Sequence, residues 1–90
     1  MTREEFTEEM DSLLKLVRTE YGLTQDIMAF HLGLSKKTLV QIEKGRTSLG
    51  WMGAVALASI FRDSQVLAGA LGGEADDLIT ALAFGTPNVP

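Results

Sequence analysis

The stretch that decides the fold is residues 24–46, TQDIMAFHLGLSKKTLVQIEKGR. It holds two short helical patterns joined by a tight turn that contains Gly33. Counting from Gln25 as position one, apolar side chains fall at positions four, eight, ten, fifteen and eighteen: Met28, Leu32, Leu34, Leu39 and Ile42. These spacings turn one face of each helix toward a common interior. Ala29 offers a small side chain where two steeply crossing helices approach most closely. Gly33 can take the positive φ that a tight helix exit needs. Thr24 and Ser35 stand at the two N-termini, where a hydroxyl can accept from free backbone N–H groups. Leu34 is apolar inside a turn, so it is expected to tuck beneath both helices. The second helix of the pair runs from Ser35 to about Lys44, and its outward residues are Lys36, Lys37, Val40, Gln41 and Lys44.

Working outward, residues 7–21 read as a first helix, with Thr7 as cap and Glu8 and Glu9 at the positive end of its dipole. Met10, Leu13, Leu14, Val17 and Tyr21 make its apolar face, and Gly22 ends it. Residues 25–32 form helix two, with Ile27, Met28 and Leu32 inward, and Gly45 stops helix three. A fourth helix is expected over 49–61, with Trp51, Val55, Ala58 and Phe61 or Ile60 inward, although Gly50 and Gly53 weaken its start. Residues 64–71, capped by Ser64, read as a short fifth helix. Gly72 and Gly73 break the chain. Residues 74–84 form a last amphipathic helix through Leu78, Ile79, Leu82 and Phe84. The tail GTPNVP holds both prolines and is expected to fray. No β-alternation appears, so the expectation is an all-α bundle of five to six helices. It forms one domain over 1–90, with a core spanning 7–71.

Composition narrows the function. Ninety residues make one domain, and 46% apolar content suffices for one core. There is no cysteine, which excludes disulfides and cysteine-ligated zinc and fits a reducing cytoplasm. A single histidine, His31, cannot supply a set of metal ligands, and its place near a helix end suits a surface residue. Trp51 reads as a core anchor rather than a platform for stacking bases. The start, MTREEFTEEM, is acidic where a signal peptide would be basic and then apolar, so a cytoplasmic location is expected. The longest apolar run, 49–61, is too short to cross a bilayer, so no membrane partner is expected. With no cysteine and no phosphate-cradling loop, the chain does not read as an enzyme: no catalytic residue, cofactor or metal is expected.

The net charge is −4, but its distribution matters more than its sum. Residues 1–20 carry six acidic and three basic side chains, and residues 63–90 carry four acidic and none basic. Residues 36–62 carry five basic side chains and one acidic. Positive charge is thus concentrated in one segment, directly after the turn, as a contact with a polyanion would need.

At this point the chain resembles the Cro/CI-like, Xre-type family of helix-turn-helix DNA-binding regulators, which has the lambda-repressor-like fold. The residues that carry the resemblance are Leu16 and Arg18, Gly22-Leu23-Thr24-Gln25, Ala29, Leu32-Gly33-Leu34-Ser35, Thr38-Leu39 and Ile42-Glu43-Lys44-Gly45, in register over roughly 13–61. The resemblance implies a helix-turn-helix at helices two and three, with helix three in the major groove. It implies base contacts from Lys36, Lys37, Val40 and Gln41. Lysine donates to guanine, glutamine pairs with adenine, and valine can touch a thymine methyl. Phosphate contacts are implied for Gln25, Ser35, Thr38, Lys44, Arg46, Thr47 and Ser48. Arg18 and Glu43 match a pair that joins helix one to helix three as a structural salt bridge. The chain departs from the family after Gly45, where TSLGWMG carries two glycines and no proline.

The expected partner is double-stranded DNA, bound by a homodimer, and the expected role is a small transcriptional regulator, a repressor. Val66, Leu67, Leu71, Leu78, Ile79, Leu82 and Phe84 exceed the needs of a four-helix core. They either form a symmetric dimer contact or cap the monomer's own core. The alternative is an antitoxin-type interaction protein, whose acidic C-terminal region holds a protein partner while the same motif autoregulates.

Overall fold

The structure is a computed structural model and describes residues 1–85. The tail expected to fray lies, from residue 86 onward, outside the described residues. Six α-helices follow one another, α1 (Arg3–Glu20), α2 (Gln25–Leu32), α3 (Lys36–Glu43), α4 (Gly50–Ile60), α5 (Gln65–Leu71) and α6 (Ala75–Phe84), and the described residues contain no strand. The architecture is an all-helical bundle. α1 packs mainly on α4 and also touches α5 and α3, α2 packs on α3, and α6 lies on α4 and α5.

α1 starts earlier than expected from Thr7. Thr2 is the cap, and its hydroxyl accepts from the Glu5 N–H at 3.0 Å while the Glu5 carboxylate accepts from the Thr2 N–H at 2.8 Å. This reciprocal capping box outcompetes Thr7, which lies inside the helix. The extra turn brings Phe6 into the core, where it is fully buried beside Met10, Leu14 and Val17. Tyr21 closes α1 instead of lining its buried face. It remains 42% exposed, with its ring edge-on to Phe61 at 4.9 Å.

α2 has the expected bounds, and Thr24 caps it by accepting from the Ile27 N–H. Met28 and Ala29 are buried, but Ile27 is 46% exposed. Met28 and Ala29 take up the inward arc of this eight-residue helix, and Ile27, about 100° before Met28, falls outside it. Gly33 has φ +71, and the turn closes with the Gly33 N–H on the Phe30 carbonyl and the Leu34 N–H on the Ala29 carbonyl. This paired closure satisfies carbonyls left free at the helix end and directs Leu34 onto the core.

On α4 the buried stripe is Ala54, Leu57, Ala58 and Phe61. Trp51 and Val55, expected inward, are half-buried at its edge, and Ile60 is exposed. The two alanines let α4 approach α1 closely, which moves the larger residues to the flanks. Beyond α4, Leu67 and Ala75 enter the core, while Val66, Leu71, Leu78, Ile79 and Leu82 pack against it. Phe84 is the exception. It lies two positions after Leu82, about 200° around the helix, so it points away from the bundle and is 85% exposed. No single helix among the described residues is long and apolar enough to cross a membrane, and α4 meets α5 at a 119° bend.

Candidate nucleic-acid interface

α3 is fixed from its inner side. Leu39 and Ile42 are buried, and Glu43 at its end is clamped by Arg18 of α1. Arg18 Nε donates to Glu43 Oε2 at 2.7 Å and Nη2 to Oε1 at 3.0 Å, while Nη1 donates to the Leu23 carbonyl at 3.1 Å. The salt bridge expected between these residues is thus present, and it also anchors the loop before α2. Gln25 joins it, donating from Nε2 to Glu43 Oε1 at 3.2 Å. Burial pushes the Glu43 carboxyl upward, but the hydrogen bonds from Arg18 and Gln25 and the charges of Arg18 and Lys15 outweigh it, so its pKa lies below the ordinary value. The same pairing raises Arg18. No buried side-chain nitrogen or oxygen among the described residues lacks a partner.

The expected base-facing residues share the opposite side of α3. Lys36 and Lys37 are exposed, and Val40 and Gln41 are half-buried. Lys36 Nζ lies 3.6 Å from the Asp26 carboxylate of α2, both side chains being well exposed. Among the described residues, Lys37, Lys44 and Arg46 form no ion pair.

The residues expected at phosphates divide by how free they are. Ser35 Oγ accepts from the Thr38 N–H at 3.1 Å and donates to Thr38 Oγ1 at 2.9 Å, so its hydroxyl is spent on starting the helix. The Thr38 hydroxyl keeps its own proton for an outside acceptor. Lys44, Arg46, Thr47 and Ser48 are exposed in the connection from α3 to α4. After α3 the Gly45 N–H bonds to the Ile42 carbonyl and the Arg46 N–H to the Gln41 carbonyl, the closure seen at Gly33. Here the residue after glycine is Arg46 instead of an inward leucine, so a cation emerges where α2 sends Leu34 into the core.

The loop that departs from the family pattern is held from α1. The Leu49 N–H donates to Asp11 Oδ1 at 2.8 Å, and the Gly50 N–H donates to Ser48 Oγ at 3.0 Å. Gly53 is explained by crowding, because a Cβ there would stand 3.0 Å from Leu49 Cβ. Glu8, Asp11, Ser12 and Lys15 of α1 face Gly45, Arg46, Thr47 and Ser48 across a shallow groove. Asp11 was not singled out in the sequence, since nothing local distinguishes it from other exposed carboxylates of α1.

Comparisons with protein-family models, with curated proteins and with solved structures find no match to this chain.

Proposed function

We propose that the chain is a small sequence-specific DNA-binding regulator, acting as a repressor, and that α2, its turn and α3 form a helix-turn-helix of the lambda-repressor type. The observation that carries this reading is how α3 is held. Its inner face is locked by Leu39, Ile42 and the Arg18–Glu43 pair, while on the other side Lys36 and Lys37 are exposed and Val40 and Gln41 are half-buried beside them. A rigid helix with donors on one side suits readout of base edges in the major groove. Lys44 and Arg46, with Thr47 and Ser48, extend the cationic surface along the path that a DNA backbone would take, with Gln25 beside Glu43 at the same end of α3 and Thr38 in its first turn. Such contacts set register without reading sequence.

The acidic side chains across the groove, Glu8 and Asp11, weaken the pull of this surface on phosphate. Non-specific affinity is therefore low, and two copies on a palindromic site are needed for tight binding. Selection of bound sequences from random duplex DNA, at one stated salt concentration, tests this. A palindromic consensus is expected, and recovery of no consensus would remove the proposal.

A further inference from the structure

α6 is seated on the bundle by few contacts. Only Ala75, at its start, is fully buried, and Leu78, Ile79 and Leu82 are half-buried against α4 and α5. Its far end is held by one residue of α1. Arg3 donates from Nε to the Leu82 carbonyl at 3.1 Å and from Nη2 to the Ala83 carbonyl at 2.8 Å. The same guanidinium lies 4.9 Å from the centroid of the Trp51 ring. Arg3 thus meets carbonyls that lack intrahelical partners and the negative end of the α6 dipole.

The link from α5 consists of Gly72, Gly73 and Glu74. Gly72 has φ +70, which the end of α5 requires. Gly73 is different: its φ is not positive, and a Cβ built on it meets nothing within 4 Å. The closed chain gives no steric or dihedral reason for glycine at 73. Two consecutive glycines leave this link free to take more than one conformation.

We propose that α6 exchanges between two copies of this chain, with the link at Gly72 and Gly73 opening so that the α6 of one copy takes the α6 seat of the other. The occupant is a second copy because the seat is already complementary to this helix. It matches Leu78, Ile79 and Leu82, and Arg3 is in place for the carbonyls of Leu82 and Ala83. Exchange keeps every one of these contacts and changes only the link, which makes it a low-cost route to a dimer. It also lets the apolar residues of α6 join two copies while staying packed on a core. The proposal concerns association and stands apart from DNA binding.

The test is the mass of the full chain by light scattering after size exclusion, from micromolar to millimolar concentration, followed by dilution. A dimer that grows with concentration is expected. Removal of Gly72 and Gly73, which prevents folding back within one chain, is expected to give a dimer at all these concentrations with the helical circular dichroism of the parent. Arg3 holds α6 equally in the closed and exchanged forms, so Arg3→Ala is expected to leave the dimer fraction unchanged and to speed relaxation after dilution several-fold. A contact between outer faces would relax at the parent rate in that variant and would overturn the proposal. So would a parent chain that stays monomeric at millimolar concentration, or a link-shortened variant that is monomeric or loses its helicity.

Discussion

Arg18 and Glu43 stand 25 residues apart and meet in a two-point ion pair, with the Glu43 side chain only 5% exposed. The pair joins the last turn of α1 to the end of α3, so it sets how far α3 stands from the core. Removing one partner leaves a charge in a poorly solvated place. Arg18→Ala or Glu43→Ala is expected to lower unfolding free energy by about 2–4 kcal/mol, and Arg18→Lys to recover little because lysine lacks the planar fork. Urea titration measures both, and a loss below about 0.5 kcal/mol for either alanine variant would show the pair to be incidental.

Acid should loosen the fold through two carboxylates. Glu43 is lowered because its partners outweigh its burial, and Glu20 is lowered chiefly by the Ser64 hydroxyl and then by backbone N–H groups of α5. Both folded values lie below the ordinary 4.5. Their contribution is therefore complete above that value and is lost as pH falls through it and below. The melting temperature is expected to be level on the neutral side and to drop in the carboxylate range, more shallowly in Glu43→Gln. Equal slopes in parent and variant would exclude Glu43 as a source of the drop.

The early start of α1 can be tested apart from any function. Phe6→Ala empties a fully buried site and is expected to cost about 3–5 kcal/mol. Thr2→Ala removes the cap and is expected to cost about 1 kcal/mol. If α1 began at Thr7 in solution, neither change would register in thermal or chemical unfolding.

Ser64 is 1% exposed and links two helices, accepting from the Leu67 N–H at 3.1 Å and donating to the Glu20 carboxylate. Ser64→Ala is expected to destabilise by about 1–2 kcal/mol. Amide exchange offers a local readout, with the first N–H groups of α5 losing protection ahead of α3.

For the proposed interface, band-shift titrations separate the two kinds of contact. Lys37→Ala and Gln41→Ala are each expected to cost about 1–3 kcal/mol on the selected site and to relax preference at one base pair. Lys44→Ala and Arg46→Ala should weaken binding alike on all sequences, each reducing the salt slope by about 1. Specific binding that survives loss of both Lys37 and Gln41 would mean that α3 is not the reading helix.

Much of this was legible along the chain. The bounds of α2, the caps at Thr24, Ser35 and Ser64, and the inward set Met28, Leu39 and Ile42 follow from short-range rules. The errors lie where two local rules competed or where no local rule applies. Thr2 with Glu5 and Thr7 with its following glutamates are both reasonable helix starts, and the reciprocal hydrogen bonds of the first decide. On α4 nearly every residue is apolar, so periodicity could not separate Ala54 and Leu57 from Trp51 and Val55. Phe84 continues the apolar run of α6, but two positions after Leu82 it falls on the opposite side of the helix from Leu78, Ile79 and Leu82.

The sequence by itself determined the order and number of the helices, the buried residues Met28, Ala29, Leu39 and Ile42 of the two-helix unit and the exposure of Lys36 and Lys37, because caps and periodicity act within a few residues. Only the tertiary structure decided what the remaining charged groups do. Asp11 receives the Leu49 N–H from 38 residues away, Glu20 receives Ser64 and Gln65 from 44 and 45, and Arg3 reaches Leu82 and Ala83 across 79 and 80. In sequence each looks like any other solvated charge. The physical reason is that a charge finds a fixed partner only after packing has brought a distant free N–H or carbonyl to it, and no local pattern records that meeting.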